Sequence, residues 1–335
     1  MIIILKRDVT EDKRDQLIKW FESQGLGVDV SRGEFQTILG LIGDVLSLDT
    51  DMIESLDIVQ AIRRVTEPFK RCNRKFHPDD TVVTVADGVL LGGGNFGIIA
   101  GPSSAESEEQ VTEVATAVKE AGAKMLTGGA VSSKIRTHTI QSQNNRELGY
   151  LSAAKKATGL PVVKEIISVE DIPNYDDVDV MIIGERNMHN YPLLAQLGCT
   201  DRPVILKRSL SATIEELLMA AEYIMAGGNK NIILCERGIR TFSDYTKATF
   251  DISAIPLLKE LSHLPVIADC SRSTGLGRLT APIAKAATAA GADGVIIDVH
   301  SDPTSAVING GQAVSTEAFA EIASDIEKIR EVLAK

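Results

Sequence analysis

From residue 97 to residue 300 the chain repeats one pattern, a short continuously apolar run followed by a longer amphipathic stretch. The runs lie in GIIAGPSS, KMLTGGA, LPVVKEI, VDVMIIGER, RPVILKRSL, NIILCERGIR, LPVIADCS and GVIIDVH, eight in all. An apolar run without polar alternation reads as a strand covered on both faces, as in a parallel sheet beneath helices. SEEQVTEVATAVKEAGA and TIEELLMAAEYIMAGG open on capping residues and end in glycine, as helices do. Eight such units close most economically into a (β/α)8 barrel, assigned here to residues 76–335. A doubly wound sheet is the competing arrangement for the same pattern.

Residues 1–75 read differently. IIILK (Ile2 to Lys6) is strand-like, and Thr10-Glu11-Asp12 opens a helix in which Leu17, Ile18, Trp20 and Phe21 recur at helical spacing up to Gly25. VDVS and FQTILGLIG suggest strands flanking Gly33, Met52 to Leu56 a second helix, and IVQAIRRV a last strand. The order βαββαβ is that of a ferredoxin-like domain, common in small modules that bind amino acids or dimerise.

Composition narrows the function. The 335 residues are 44% hydrophobic, enough for a large core, and contain no long apolar segment of membrane-spanning length. The start, MIIILKRDVTEDKRDQ, lacks the pattern of a signal peptide. Cys72, Cys199, Cys235 and Cys270 are widely spaced with no CxxC pair, which suits small buried side chains in a reducing, cytoplasmic setting. With a net charge of −11 and 4% aromatic residues, the chain offers neither a basic face nor a stacking platform, so nucleic acid is not an expected partner.

In a barrel of this kind the chemistry lies at the C-terminal strand ends. Those ends carry Ser103 and Ser104, Lys134 and Arg136, Lys164 and Glu165, Glu185 and Arg186, Lys207 and Arg208, Glu236 and Arg237, Asp269 and Arg272, and Asp298 and His300. Any strand end can be polar where it meets solvent, which accounts for part of this set. Arg186, Lys207 and Arg237, however, follow three successive strands. Three converging cations repel one another unless an anion lies among them, so a phosphate or carboxylate pocket is expected. A salt-bridge network with Glu165, Glu185 and Glu236 is the alternative. LGGGNFG, ahead of the first barrel strand, suggests a β-hairpin closing the barrel bottom. TGLG, after Arg272, suggests a mobile substrate loop, and Cys235 a packing residue.

GPSSAES, GERNMHN, VILKRSLSATIEE, ILCERGIRTF and SHLPVIADCS, with RKFHPDDTVV at the domain junction, resemble the 3-deoxy-D-arabino-heptulosonate 7-phosphate (DAHP) synthases that carry an N-terminal ferredoxin-like domain. The resemblance spans essentially the whole chain. It implies a barrel enzyme that condenses phosphoenolpyruvate with erythrose 4-phosphate, with Arg186, Lys207 and Arg237 on the phosphate of phosphoenolpyruvate. It also implies a small domain that takes a feedback effector and helps to assemble a homo-oligomer, a dimer or tetramer.

The resemblance breaks at the metal. The family's Cys, His, Glu and Asp ligands correspond here to Ser103, Arg272, Asp298 and Asn309, so no metal cofactor is expected. A guanidinium never coordinates, and a serine hydroxyl is a weak ligand. At Arg272 the fixed cation pairs with Asp298 or Asp269 and balances the site, or else contacts substrate. The family's RGGA and KPRT also depart, to TGGAVSSKIRT. Ungapped, Thr127, Ser132, Lys134 and Ile135 take the places of its Arg, Lys, Arg and Thr, whereas a two-residue shift puts Arg136-Thr137 in the RT place. Three functions follow as alternatives: the family condensation run without metal, a paralogue acting on another phosphorylated or carboxylated metabolite, or a non-catalytic regulatory homologue. For the second, Lys164 is a Schiff-base candidate, with pairing to Glu165 or Glu185 as its plainer role. Asp269, Asp298 and His300 are candidates for proton transfer, and Glu165 and Arg272 complete the candidate catalytic set.

Overall fold

The computed structural model describes residues 1–32, 37–45, 48–86, 88–129 and 140–334. Two compact units emerge, Met1–Asp80 with Glu260–His263, and Thr81–Lys259 with Leu264–Lys335.

In the first unit the order is β1 (Ile2–Leu5), α1 (Glu11–Ser23), β2 (Gly27–Arg32), β3 (Thr37–Ile42), α2 (Thr50–Glu54) and β4 (Val59–Arg63). The strands form one antiparallel sheet in the order β2-β3-β1-β4. Alternation along β1 separates its two faces. Ile3 and Leu5 join Leu17 and Phe21 of α1 and Ile53 of α2 in one core, while Ile2 faces Ile38 and Phe76. Helix α2 starts two residues before the expected Met52, because the Asp49 side chain accepts the backbone N–H of Asp51 at 3.1 Å and of Met52 at 3.0 Å. Gly33 lies outside the described residues.

Gly40 is where Phe76 approaches the sheet. A Cβ added there would stand 2.2 Å from the ring's Cδ1, and Phe76 is buried. Gly40→Ala is therefore expected to lower the unfolding free energy by about 1–3 kcal/mol through overpacking, as measured by urea unfolding.

The second unit begins with a hairpin, β5 (Val83–Ala86) and β6 (Val89–Leu91). LGGGNFG adds a tight antiparallel turn after it, in which Gly92 and Asn95 each donate an N–H to the other's carbonyl at 3.2 and 3.0 Å. Its glycines form the turn after β6, with Gly92 and Gly93 at positive φ. Val83, Val85 and Leu91 join the barrel core, and Leu91 packs so near Gly97 that a Cβ there would meet its Cδ2 at 2.7 Å.

Eight strands follow: β7 (Gly97–Gly101), β8 (Met125–Thr127), β9 (Val162–Ile166), β10 (Val180–Ile183), β11 (Val204–Lys207), β12 (Ile232–Glu236), β13 (Val266–Asp269) and β14 (Gly294–Asp298). They close into a parallel barrel in the order β10-β11-β12-β13-β14-β7-β8-β9. The connecting helices are α3 (Glu108–Glu120), α4 (Ile140–Thr158), α5 (Tyr191–Gly198), α6 (Ile214–Ala226), α7 (Ala254–Leu261), α8 (Cys270–Thr274), α9 (Gly277–Ala289) and α10 (Thr316–Leu333). After β9 the connection is a 3-10 segment, Val169–Asn174, containing Pro173. Among the described residues no helix is long and apolar enough to cross a membrane.

The core cluster identifies the inward side of each strand. It holds Ile99, Met125, Val163, Val180 and Ile182, Ile205, Ile233 and Cys235, Ile267 and Ile296. Period-two alternation then aims Glu165, Lys207, Arg237, Asp269 and Asp298, each two residues further on, at the C-terminal mouth. The same parity sends Lys164 and Glu236 outward.

Candidate active site

Asp269 and Lys207 form the floor of the mouth. Lys207 Nζ donates to Asp269 Oδ2 at 2.6 Å, and the two side chains are 4% and 0% exposed. The other oxygen of Asp269 accepts the backbone N–H of Arg272 at 3.1 Å, which caps α8 and fixes the start of that helix. Burial alone would raise the Asp269 carboxyl. Lys207, Arg272 and Arg237 outweigh it and hold the group below its ordinary value.

Arg272 stands between two carboxylates. Its Nε lies 3.8 Å from Asp269 Oδ2 and 3.7 Å from Asp298 Oδ2, too far for hydrogen bonds but within ion-pair range. Burial opposes the guanidinium charge, yet Asp298 and Asp269 more than compensate and strengthen its hold on the proton. Asp298 Oδ2 also accepts from Gln312 Nε2 at 2.5 Å, while its Oδ1 has no hydrogen-bond partner.

Arg237 heads the fully buried side chains in size. One of its nitrogens, Nη2, reaches the Arg272 carbonyl at 3.5 Å and Glu185 Oε1 at 3.8 Å. Nε and Nη1 have no acceptor. Burial would raise the Glu185 carboxyl, but Arg237, Lys207 and Arg272 keep it lowered, so Glu185 is an anion facing this cluster. Arg186 lies nearer solvent, 51% exposed, with Nη2 3.9 Å from Glu165 Oε1.

Other expected site residues are placed elsewhere. Lys164, taken above as a Schiff-base candidate, is on the outward side of β9. It is fully buried in an ion pair with Glu147 of α4, and its Nζ approaches the Gly129 carbonyl at 3.4 Å. The ammonium is thus committed to Glu147, where pairing to Glu165 or Glu185 was expected from the sequence. His300 Nδ1 accepts the Asp302 N–H at 3.0 Å, leaving the ring proton on Nε2, 3.8 Å from Glu106 Oε2. Lys134, Arg136, Ser132, Ile135 and Thr137 lie outside the described residues. TGLG is no free loop. Gly275, left-handed at φ 70°, ends α8, and α9 begins at Gly277. Cys235 is part of the barrel core, where burial pushes its thiol up. Cys199, by contrast, is exposed.

Two contributors escaped the sequence patterns. Gln312 lies in a 3-10 turn, Gly310–Gln312, with no motif to mark it. Lys247 lies ten residues beyond Arg237, yet it meets the electrostatic fields of Arg237, Arg272, Glu185 and Asp269.

The donor set does not suit a metal of the family type. The Ser103 hydroxyl donates to the Ile308 carbonyl at 2.9 Å, Arg272 is a fixed cation, and Asn309, left-handed at φ 58°, makes no side-chain cap. Among the described residues no group of three or more His, Cys, Asp or Glu converges as metal ligands would. What the mouth offers is a buried array of guanidinium and ammonium groups with unpartnered N–H donors, suited to an anion.

Comparison with known proteins agrees with both units. The DAHP synthase ferredoxin-like domain matches residues 1–67, and the DAHP synthetase I family matches residues 80–334. The phospho-2-dehydro-3-deoxyheptonate aldolase of Thermotoga maritima is 41% identical over 334 residues, 99% of this chain and 98% of that protein. Its crystal structure superposes with a TM-score of 0.77 over 99% of this chain and 97% of that one. A more distant relative, the 2-dehydro-3-deoxyphosphooctonate aldolase of Syntrophobacter fumaroxidans, is 26% identical over 264 residues, 73% of this chain and 90% of its own. With a ferredoxin-like sheet and a closed eight-stranded barrel, and with a relative matched over 99% of its length, this chain is an enzyme belonging to the DAHP synthetase I family.

Proposed function

We propose that the enzyme joins phosphoenolpyruvate to a phosphorylated aldehyde, erythrose 4-phosphate in the family reaction, and does so without a bound metal. The observation that carries this is Arg237, 1% exposed, with two N–H groups that no protein atom accepts. Leaving such donors empty in a buried site costs about 1–3 kcal/mol each, more for a charged group, so the arrangement suits a dianionic phosphate. In this reading Arg237, Lys207 and Arg186 hold that phosphate. Arg272 supplies fixed positive charge where a negative oxygen develops, and Asp269 and Asp298 keep the guanidinium in place.

The bonds balance without a redox step. The methylene carbon of the enol phosphate bonds to the aldehyde carbon, and the aldehyde oxygen takes a proton. Water adds at the enol carbon and inorganic phosphate leaves. Asp298 Oδ1, buried and unpartnered, is placed to accept a proton, Glu165 is a further candidate acceptor, and His300, whose Nδ1 is occupied by the Asp302 N–H, is a candidate to donate from Nε2. Lys134 and Arg136 remain the proposed contacts for the second phosphate. The N-terminal unit is proposed to bind an effector and to support a homo-oligomer, in a cytoplasmic enzyme.

The test is phosphate release from phosphoenolpyruvate and erythrose 4-phosphate. Release is expected to be unchanged by EDTA and by added manganese; loss with EDTA and recovery with manganese would refute the metal-free reading. A second reading, with a different aldehyde, is favoured by Thr127, a buried neutral side chain where the family carries an arginine. It predicts phosphate release with another acceptor only.

A further inference from the structure

We infer that Lys247 is a further anion-binding residue of the mouth, contacting the acidic end of the bound substrate between Arg237 and Arg272. The inference rests on the phosphate-site reading above.

Its position is built from both sides. Toward β12, an isolated antiparallel bridge joins Ile239 and Thr249, each donating its N–H to the other's carbonyl at 2.9 Å, which ties the segment to the strand end that carries Arg237. Toward β13, the Lys247 N–H donates to the Thr274 carbonyl at 2.9 Å, on the last turn of the helix that carries Arg272. The lysine stem lies over Gly275. A Cβ there would stand 3.1 Å from Lys247 Cβ and 3.4 Å from its Cδ, so the absence of a side chain gives the stem its track.

The charges explain what this position does. Lys207 is matched by Asp269 at 2.6 Å, Arg272 stands between Asp269 and Asp298, and Arg237 faces Glu185 at 3.8 Å. Lys247 is left over. Among the described residues its ammonium makes no hydrogen bond or ion pair. Lys247 is exposed to solvent at the rim; desolvation by the atoms on its inner side, then Arg237 and Arg272, pull its proton affinity down, and Glu185 and Asp269 only partly restore it. With the Arg186–Glu165 pair included, five cations face four carboxylates, which leaves net positive charge beside the unpartnered Nε and Nη1 of Arg237. The ligand class that relieves this is a small molecule carrying a phosphate together with a second acidic group, and Lys247 holds whichever of the two reaches the rim.

The experiment measures binding of phosphoenolpyruvate, and separately of inorganic phosphate, to the full-length protein by calorimetry. Lys247→Met is expected to weaken phosphoenolpyruvate by about tenfold, the scale of one charge-assisted contact. Lys247→Arg should recover most of it. The melting temperature should stay that of wild type, since no protein partner is lost, and the gap should narrow as salt is raised. If Lys247→Met binds both anions as wild type does, the inference is overturned, and a concurrent loss in Arg237→Met would show that the phosphate-site reading stands without it. If wild type ignores phosphoenolpyruvate but binds phosphate, and Lys247→Met weakens that binding, the inference holds and the condensation reading fails. Absence of binding of either anion to wild type would overturn the inference as well.

Discussion

Asp269→Asn is expected to destabilise the fold by about 3–5 kcal/mol, the cost of leaving a buried charge without its counter-ion. Asparagine preserves the shape of the side chain and can still cap α8. It cannot neutralise Lys207, 4% exposed and 2.6 Å away. The pH dependence identifies the cause. Burial raises the carboxyl, but Lys207, Arg272 and Arg237 win, so its value in the folded chain lies below the ordinary aspartate value of about 3.9. A carboxylate depressed by folding contributes stability that is fully present above the unfolded value and is lost as pH falls through the folded one. The gap between wild type and variant in urea unfolding should therefore be constant near neutrality and shrink in acid, below about pH 4. A gap that persists undiminished at the lowest accessible pH would mean that the charge of Asp269 is not what the site depends on.

Arg237→Met should have opposite signs for function and for stability. Two unpartnered N–H groups on a buried guanidinium, each worth about 1.5–3 kcal/mol to an anionic acceptor, imply a loss of phosphoenolpyruvate affinity of roughly 10²- to 10⁴-fold. Within the protein the same side chain is poorly matched, with Glu185 at 3.8 Å and a carbonyl at 3.5 Å. An apolar side chain of similar length in its place should leave the unfolding free energy unchanged or raise it. A large drop in both affinity and stability would instead make Arg237 a structural brace.

Much of this fold was legible because burial leaves a mark on composition. Strands covered on both faces cannot alternate, and all eight apolar runs became barrel strands. The charged residues at strand ends were legible as a set but not individually. Counting by two separates inward Glu165, Lys207, Arg237 and Asp269 from outward Lys164 only once Val163 is known to face the barrel core, because in VVKEI the count from Val162 reaches Lys164 and the count from Val163 reaches Glu165. Lys247 was out of reach of such counting. It is carried by a segment whose path depends on two backbone contacts distant from it in pattern, the Ile239–Thr249 bridge and the Thr274 carbonyl. The turn at Gly275 reads as a loop because glycine marks both free loops and left-handed helix ends.

The ion pair between Lys164 and Glu147 bears on descent. Lys164 is sealed, at 0% exposure, with Glu147 as its acidic partner, so a lineage that loses the carboxylate strands an ammonium in a medium that does not tolerate it. Position 147, seventeen residues earlier in the chain, should therefore keep its acid wherever position 164 keeps its lysine.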